Sequence, residues 1–164
     1  HTRFRNVTGV QTCALPIWLL GATGQDNRVV YIERGREHRI GVRLAAEAIA
    51  VGRAQGYKLG TVLGIQPDDW LGADGGDAAA LNRVQDGLTS WMATLLEPSQ
   101  SSVGRDVARG RRSEIDFTNG LVAEKGIETG VPAPTHAALT ALVRRIDRGE
   151  LKQDARHIEA ILPA

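Results

Sequence analysis

Apolar residues recur every three or four positions over long stretches of this chain, a spacing that predicts amphipathic helices. From Glu37 to Ala54 the repeat runs through Ile40, Leu44, Ala45, Ala48 and Val51, and Gly56 follows where a helix C-terminus favours glycine. Asp77 is placed to cap a second helix, Ala78 to Leu96, with Leu81, Val84, Leu88, Trp91, Met92 and Leu95 inward and Pro98 as its stop. Ser101 or Ser102 can cap a third, which runs to about Thr129 with a kink or fresh start at Ser113; Gly130, Pro132 and Pro134 end it. A further helix covers Thr135 to Arg148 with Leu139, Leu142, Val143 and Ile146 inward, and Asp154 to Leu162 gives a last short turn. Two stretches lack the period. Leu19 to Asn27 reads as turn-rich, followed by the β-branched run Val29 to Ile32, and Lys58 to Gly76 reads as a glycine-rich connector packed on the body through Val62, Leu63, Ile65 and Trp70. The predicted fold class is all-α.

Composition narrows the function classes. The 164 residues suit one domain with a real core. With 20 Lys+Arg against 19 Asp+Glu the net charge is +1, so no overall field selects nucleic acid or an anionic membrane. Aromatics are 4% against 42% hydrophobic residues, which suits helices packed through small side chains rather than a base-stacking surface. Cys13 is the sole cysteine, which leaves no internal disulfide framework and no multi-cysteine metal site. No apolar run reaches the roughly 18–20 residues that cross a bilayer, and a cytoplasmic location is expected. Val7 to Ile17, VTGVQTCALPI, has neither helical nor strand period and looks like a translated sequencing adapter fused in frame to a gene fragment. Residues 1–17 are therefore set apart as artefactual, and 18–164 are taken as the domain.

Isolated motifs carry little. Leu20-Gly-Ala-Thr-Gly24 is similar to a nucleotide-binding loop but lacks the third glycine and any following strand–helix–strand unit. The histidines His1, His38, His136 and His157 lack metal-ligand spacing and read as solvated helix-face residues. Arg109, Arg111 and Arg112 can bind phosphate, although in a near-neutral protein they read first as surface residues. Taken alone, Glu114 is a helix-start acid and Ser102 an N-cap.

The run from Ser101 to Pro134 says more. It reads Ser101-Ser102-Val103, Asp106, then Gly110-Arg111-Arg112-Ser113-Glu114-Ile115-Asp116-Phe117-Thr118-Asn119-Gly120, then Gly130-Val131-Pro132-Ala133-Pro134. This block closely resembles the signature of the C-terminal domain of ketopantoate reductases (2-dehydropantoate 2-reductases), with Ser113 in place of threonine and Phe117 in place of tyrosine. A weaker likeness continues upstream through Glu47–Gly56 and Ala22–Asn27, so the resemblance covers 18–164 in order.

The resemblance implies a helical C-terminal domain of the 6-phosphogluconate dehydrogenase C-terminal-like kind, with the family's N-terminal Rossmann domain absent from this chain. It implies NADPH-dependent reduction of a small 2-keto acid, ketopantoate to pantoate on the way to pantothenate and coenzyme A, with NADP held by that missing domain. By position Ser102 would contact substrate, with Val103, Gly104 and Arg105 supplying neighbouring backbone. Asn27 matches a substrate-binding asparagine, and Glu114 would line the cleft at the nicotinamide side of the cofactor. On a straight helix Ser102 and Glu114 would stand about 18 Å apart, so either Gly110 bends the segment or the two meet different parts of the ligands. The family's general acid is a lysine followed at the fourth and eighth positions by asparagines. Counting back from Asn27 puts those roles on Gly9, Cys13 and Ile17, none with the needed chemistry. Lys58, the only lysine among the first hundred residues, offers no match. The chain alone is expected to carry no catalytic residue. A cleft wall left without its other half would favour self-association, which makes a homodimer a candidate state. The competing reading is a stand-alone helical interaction or dimerisation module.

Overall fold

The computed structural model describes residues 16–94 and 102–161, with backbone only for Ser102 and Ala160. Its helices are α1 (Ile17–Thr23), α2 (Arg28–Tyr31), α3 (Arg36–Ala54), α4 (Pro67–Asp74), α5 (Ala78–Met92), α6 (Ser102–Ala108), α7 (Asn119–Thr129) and α8 (Pro134–Asp147), with 3-10 turns at Ile115–Phe117 and Ala155–Ala160. The described residues contain no strand; Val62 and Ile65 form an isolated bridge across a tight turn. The fold is all-α, as the periodicity predicts.

Helix α3 is the central element, because Ile40 and Leu44 on one side and Ile49 on the opposite side are all fully buried. It ends at a left-handed glycine: Gly56 has φ 81°, its N–H bonds the Arg53 carbonyl, and the Tyr57 N–H reaches back to Gly52. Around α3 lie α4, α7 and α8, while α1 packs on α6 and α8. Leu19 and Leu20 of α1, Val84 and Leu88 of α5, Leu139 and Val143 of α8, and Trp70 of α4 join α3 in one core. Tyr31 and Trp91 meet edge to face, ring centres 5.1 Å apart, which pins α2 on α5. Asp77 caps α5 as expected, accepting the N–H of Ala79 at 2.8 Å and of Ala80 at 3.2 Å.

Several predicted elements are corrected. Leu19–Asn27 is not mainly turn: its first half lies in α1, a helix too short to persist alone and held by burial of Trp18, Leu19 and Leu20. The β-branched run Val29 to Ile32 lies in the short helix Arg28–Tyr31, with Ile32 as its C-cap. The connector Lys58–Gly76 contains α4, started by Pro67 with Asp68 and Asp69 in its first turn, and its Val62, Ile65 and Trp70 are buried as expected. The third predicted helix takes the fresh-start form, but the second helix opens at Asn119 instead of Ser113. Gly110, at φ 70°, closes α6 through bonds from its own N–H to Val107 and from the Arg111 N–H to Asp106, and the chain re-enters α-helix only at Asn119. Leu81 is exposed instead of inward, while Leu95 lies outside the described residues. Pro16 is buried and Ile17 opens α1, so ordered packing reaches just into the segment set apart at 1–17. Gly9 and Cys13 lie outside the described residues, and Ile17 packs against the core.

Candidate functional site

The turn between α1 and α2 holds Asn27. It occupies the N-cap position of α2, yet its side chain caps nothing; Asp26 Oδ1 accepts the Arg28 N–H at 2.7 Å instead. Asn27 Oδ1 is buried without a hydrogen-bond partner. So is Gln25 Oε1, whose amide nitrogen is turned to Glu37 at 3.2 Å. A buried polar atom left unpaired costs on the order of 1–3 kcal/mol, so two in one turn mark a place suited to a hydrogen-bond donor.

The neighbouring Leu20–Gly24 run is no phosphate loop. It is the last turn of α1, and Gly24 caps it with φ 72° and an N–H bond to the Leu20 carbonyl. That end of a helix presents carbonyls and partial negative charge, the wrong field for a pyrophosphate, so this loop does not fit NADP.

Helix α6 carries the second group of candidates. Ser102 opens it, with only its backbone described. Val103 is half-buried, its Cγ1 3.0 Å from where a Cβ on Gly21 would stand, so α1 and α6 touch through a glycine. Gly104 is buried, and its carbonyl accepts from Gln153 Nε2 at 2.9 Å. Arg105 is exposed in the last turn. The fold thus brings the helix leading to Asn27 against the Val103–Gly104 end of α6. Glu114 stands at a different junction, exposed at the start of the 3-10 turn that packs on α7 and α8.

Much of the signature block serves docking. The Ser113 hydroxyl donates to Asp147 at 2.5 Å, and Arg144 pairs with Asp116 at 2.7 Å, so the loop before α7 is tied to α8 at two points. Asn119 has no exposed surface and its amide nitrogen donates to His136 Nδ1 at 3.1 Å; His136 Nε2 in turn donates to the Leu44 carbonyl at 2.9 Å. Arg111 pairs with Asp106 on the surface. Arg112 and Arg148, with Arg144, Asp116, Asp147 and Gly110, line a polar cleft of about 460 Å³.

The histidine reading is corrected. His38 and His136 are 3% and 0% exposed, inside the body instead of on solvated faces. Burial holds His38 below its usual pKa although its ring bonds the Val30 carbonyl, and it brings His136 down to about 4. Glu47 is the missed member of this network: its two carboxylate oxygens accept the backbone N–H groups of Thr135 and His136 at 3.1 Å each. Burial pushes its carboxyl above the usual range, and the bonds from Thr135 and His136 oppose that. The signal was present, since positions 40, 44, 47 and 51 share one helix face and Glu47 is the acid among apolar residues. A second cleft, apolar and of about 410 Å³, lies between α7 and α8 along Gly126, Ile127, Pro132 and Ala137, with Ile127 84% exposed. Neither cleft is lined by Asn27, Val103, Gly104, Arg105 or Glu114. No helix among the described residues is long and apolar enough to cross a membrane.

The described residues form a strand-free body of packed helices, an all-α domain by class. The chain belongs to the family described as ketopantoate reductase PanE/ApbA C terminal, whose profile matches residues 19–147. It is 34% identical over 58 residues to a 2-dehydropantoate 2-reductase of Archaeoglobus fulgidus, a match covering 35% of this chain and 20% of that protein. A PanE/ApbA family ketopantoate reductase from Ralstonia eutropha, solved by crystallography, shares the fold with a TM-score of 0.58 and 29% identity. That match covers 86% of this chain and 39% of the solved one, so the chain corresponds to a minor part of these longer proteins.

Proposed function

We propose that this chain is the substrate-closing half of an NADPH-dependent 2-keto acid reductase of the 2-dehydropantoate 2-reductase kind. Asn27 and the Ser102–Arg105 end of α6 contact the keto acid, and Glu114 faces the nicotinamide side of the cofactor. The observation that supports this most is Asn27 itself. Its capping duty is done by Asp26, and its buried amide oxygen stays unpaired. A hydroxyl or ammonium brought by the ligand or by the other half of the cleft would satisfy that oxygen. NADP binding and the proton donor belong to the other half, so these helices position the substrate and exclude water and do not carry out the hydride transfer. The chain by itself is catalytically silent, because no lysine stands at the general-acid position before Asn27.

The test is direct. NADPH oxidation with ketopantoate is measured for this chain, and ketopantoate is titrated into the isotope-labelled chain by NMR. No turnover, with shifts at the Asn27 side-chain amide and at Val103 to Arg105, is the expected result. Turnover by the chain alone would refute the missing-donor part, and shifts confined to other elements would refute the site. A second reading, a helical dimerisation module, is favoured by the exposed Ile127 beside the apolar cleft. Sedimentation of the wild type against Ile127→Glu separates it, since a dimer through that face dissociates in the variant.

A further inference from the structure

We infer that Gln153 is a positioning residue that sets the Val103–Arg105 segment against the turn bearing Asn27; this rests on the functional reading above. Gln153 lies beyond the residues that match the family profile. Its amide nitrogen has two N–H groups, and both are used: one donates to the Gly21 carbonyl at 2.6 Å, the other to the Gly104 carbonyl at 2.9 Å. The amide cannot be turned over, because its oxygen would then face two carbonyl oxygens.

The bond to Gly21 answers a need in α1. The last carbonyls of a helix have no partner within it. In α1 the Leu20 carbonyl is taken by Gly24, the Gly21 carbonyl by Gln153, and the Ala22 carbonyl by the Asp154 N–H at 3.1 Å. The C-terminal segment therefore caps α1, and through Gln153 the same cap grips α6. Gln153 lies in ordinary contact with the end of α1, 3.5 Å from where a Cβ on Gly24 would stand, while a Cβ on Gly21 would press on Val103 at 3.0 Å, so α6 lies close against α1 at the residue whose carbonyl Gln153 holds. Two segments far apart in sequence, each assigned to the keto acid, are held in register by one amide.

The experiment uses the full chain with Gln153→Glu, which keeps the shape and removes both donors, and Gln153→Lys, which restores a donor. Amide hydrogen exchange is read in α6, at Gly24 to Asn27 and, as an internal control, in α3. Ketopantoate affinity is read from the NMR titration. In Gln153→Glu, exchange at Gly104 to Arg109 and at Gly24 to Asn27 rises at least tenfold with α3 unchanged, ketopantoate binds at least fivefold more weakly, and Gln153→Lys recovers both. Unchanged exchange overturns the clamp, and raised exchange with unaltered ketopantoate affinity reduces it to a structural bond and overturns the positioning role. Should Gln153→Glu be too unstable to purify, Gln153→Ala removes both bonds without adding charge and is read in the same two ways. A wild-type chain that shows no ketopantoate shifts overturns the functional reading, an outcome distinct from either.

Discussion

The Glu47 carboxylate reaches out of α3 and accepts the His136 backbone N–H at 3.1 Å, so one helix caps the start of another. Its second oxygen takes the Thr135 N–H at the same distance. The first turn of α8, with its unpaired donors and partial positive charge, thus meets a buried negative group supplied from about ninety residues away. The His136 ring, between the Leu44 carbonyl and the Asn119 amide, is held neutral with its proton on Nε2.

Glu47→Ala leaves two buried N–H groups without partners and is expected to cost about 2–3 kcal/mol in urea unfolding at pH 7. Glu47→Gln keeps one acceptor and is expected to cost about half as much. A loss below the scatter of the measurement in Glu47→Ala would mean that water reaches those donors. The pH dependence adds a second check. Because burial raises the folded pKa of Glu47, its contribution is fully present below the unfolded value and is lost as pH rises through the raised one. The advantage of wild type over Glu47→Gln therefore grows on acidification.

His136 acts in the opposite sense. Its folded pKa of about 4 lies below the ordinary 6.5, so the unfolded chain binds the extra proton between these values. The stability tied to the neutral ring is present above pH 6.5 and is lost as pH falls toward 4, a loss of about 3 kcal/mol at its full extent. His38 is shifted in the same direction. The large shift at His136 is expected to make the urea midpoint fall between pH 7 and pH 5. His136→Gln flattens that fall while lowering stability at pH 7. An equally steep fall in the variant would place the titration elsewhere.

Two glycines separate packing from helix propensity. Alanine is favoured over glycine inside a helix by about 1 kcal/mol. At Gly52 of α3 an added Cβ would meet the flexible Leu59 side chain at 3.4 Å, so Gly52→Ala is expected to be neutral or stabilising. At Gly126 of α7 it would lie 2.7 Å from the Val131 backbone carbonyl, which cannot give way without opening the α7–α8 turn. Gly126→Ala is expected to destabilise by about 1–3 kcal/mol. Thermal unfolding of the pair decides it, and the idea fails if Gly126→Ala melts no lower than Gly52→Ala.

The long helices are readable because their period, caps and stops agree: Asp77 and Gly56 act where the sequence puts them. The short helices are not. α1 holds Gly21 and ends at Gly24, features that suggest a turn, yet Gly21 is there so that Val103 can approach. For α4 the Pro67-Asp68-Asp69 start is legible, but the glycines around it outweigh that signal. At Gly110 the sequence allows a bend; the left-handed glycine makes it a full stop, so the straight-helix case between Ser102 and Glu114 does not arise. At the site, the resemblance points to Asn27 and the start of α6, and the sequence offers no way to see that Gln153 joins α6 to the helix leading to Asn27. Bonds of that kind depend on which loop lies across which helix, and no local pattern encodes it.

The unpaired oxygen of Asn27 predicts a conflict between stability and binding. If that oxygen is kept for a ligand, the free chain bears the cost of burying it. Asn27 has φ −70° and ψ −14°, a helical conformation open to any ordinary residue, so Asn27→Leu fits the backbone without strain. Replacing the amide by an apolar side chain of similar shape is expected to raise the unfolding free energy by about 1 kcal/mol and to abolish the ketopantoate shifts. Asn27→Asp keeps an acceptor but adds charge beside an anionic keto acid, so it too loses binding, without the gain in stability. An Asn27→Leu variant that unfolds more easily than wild type would mean that the amide already has a structural partner, and Asn27 would then have to be given up as a ligand-binding residue.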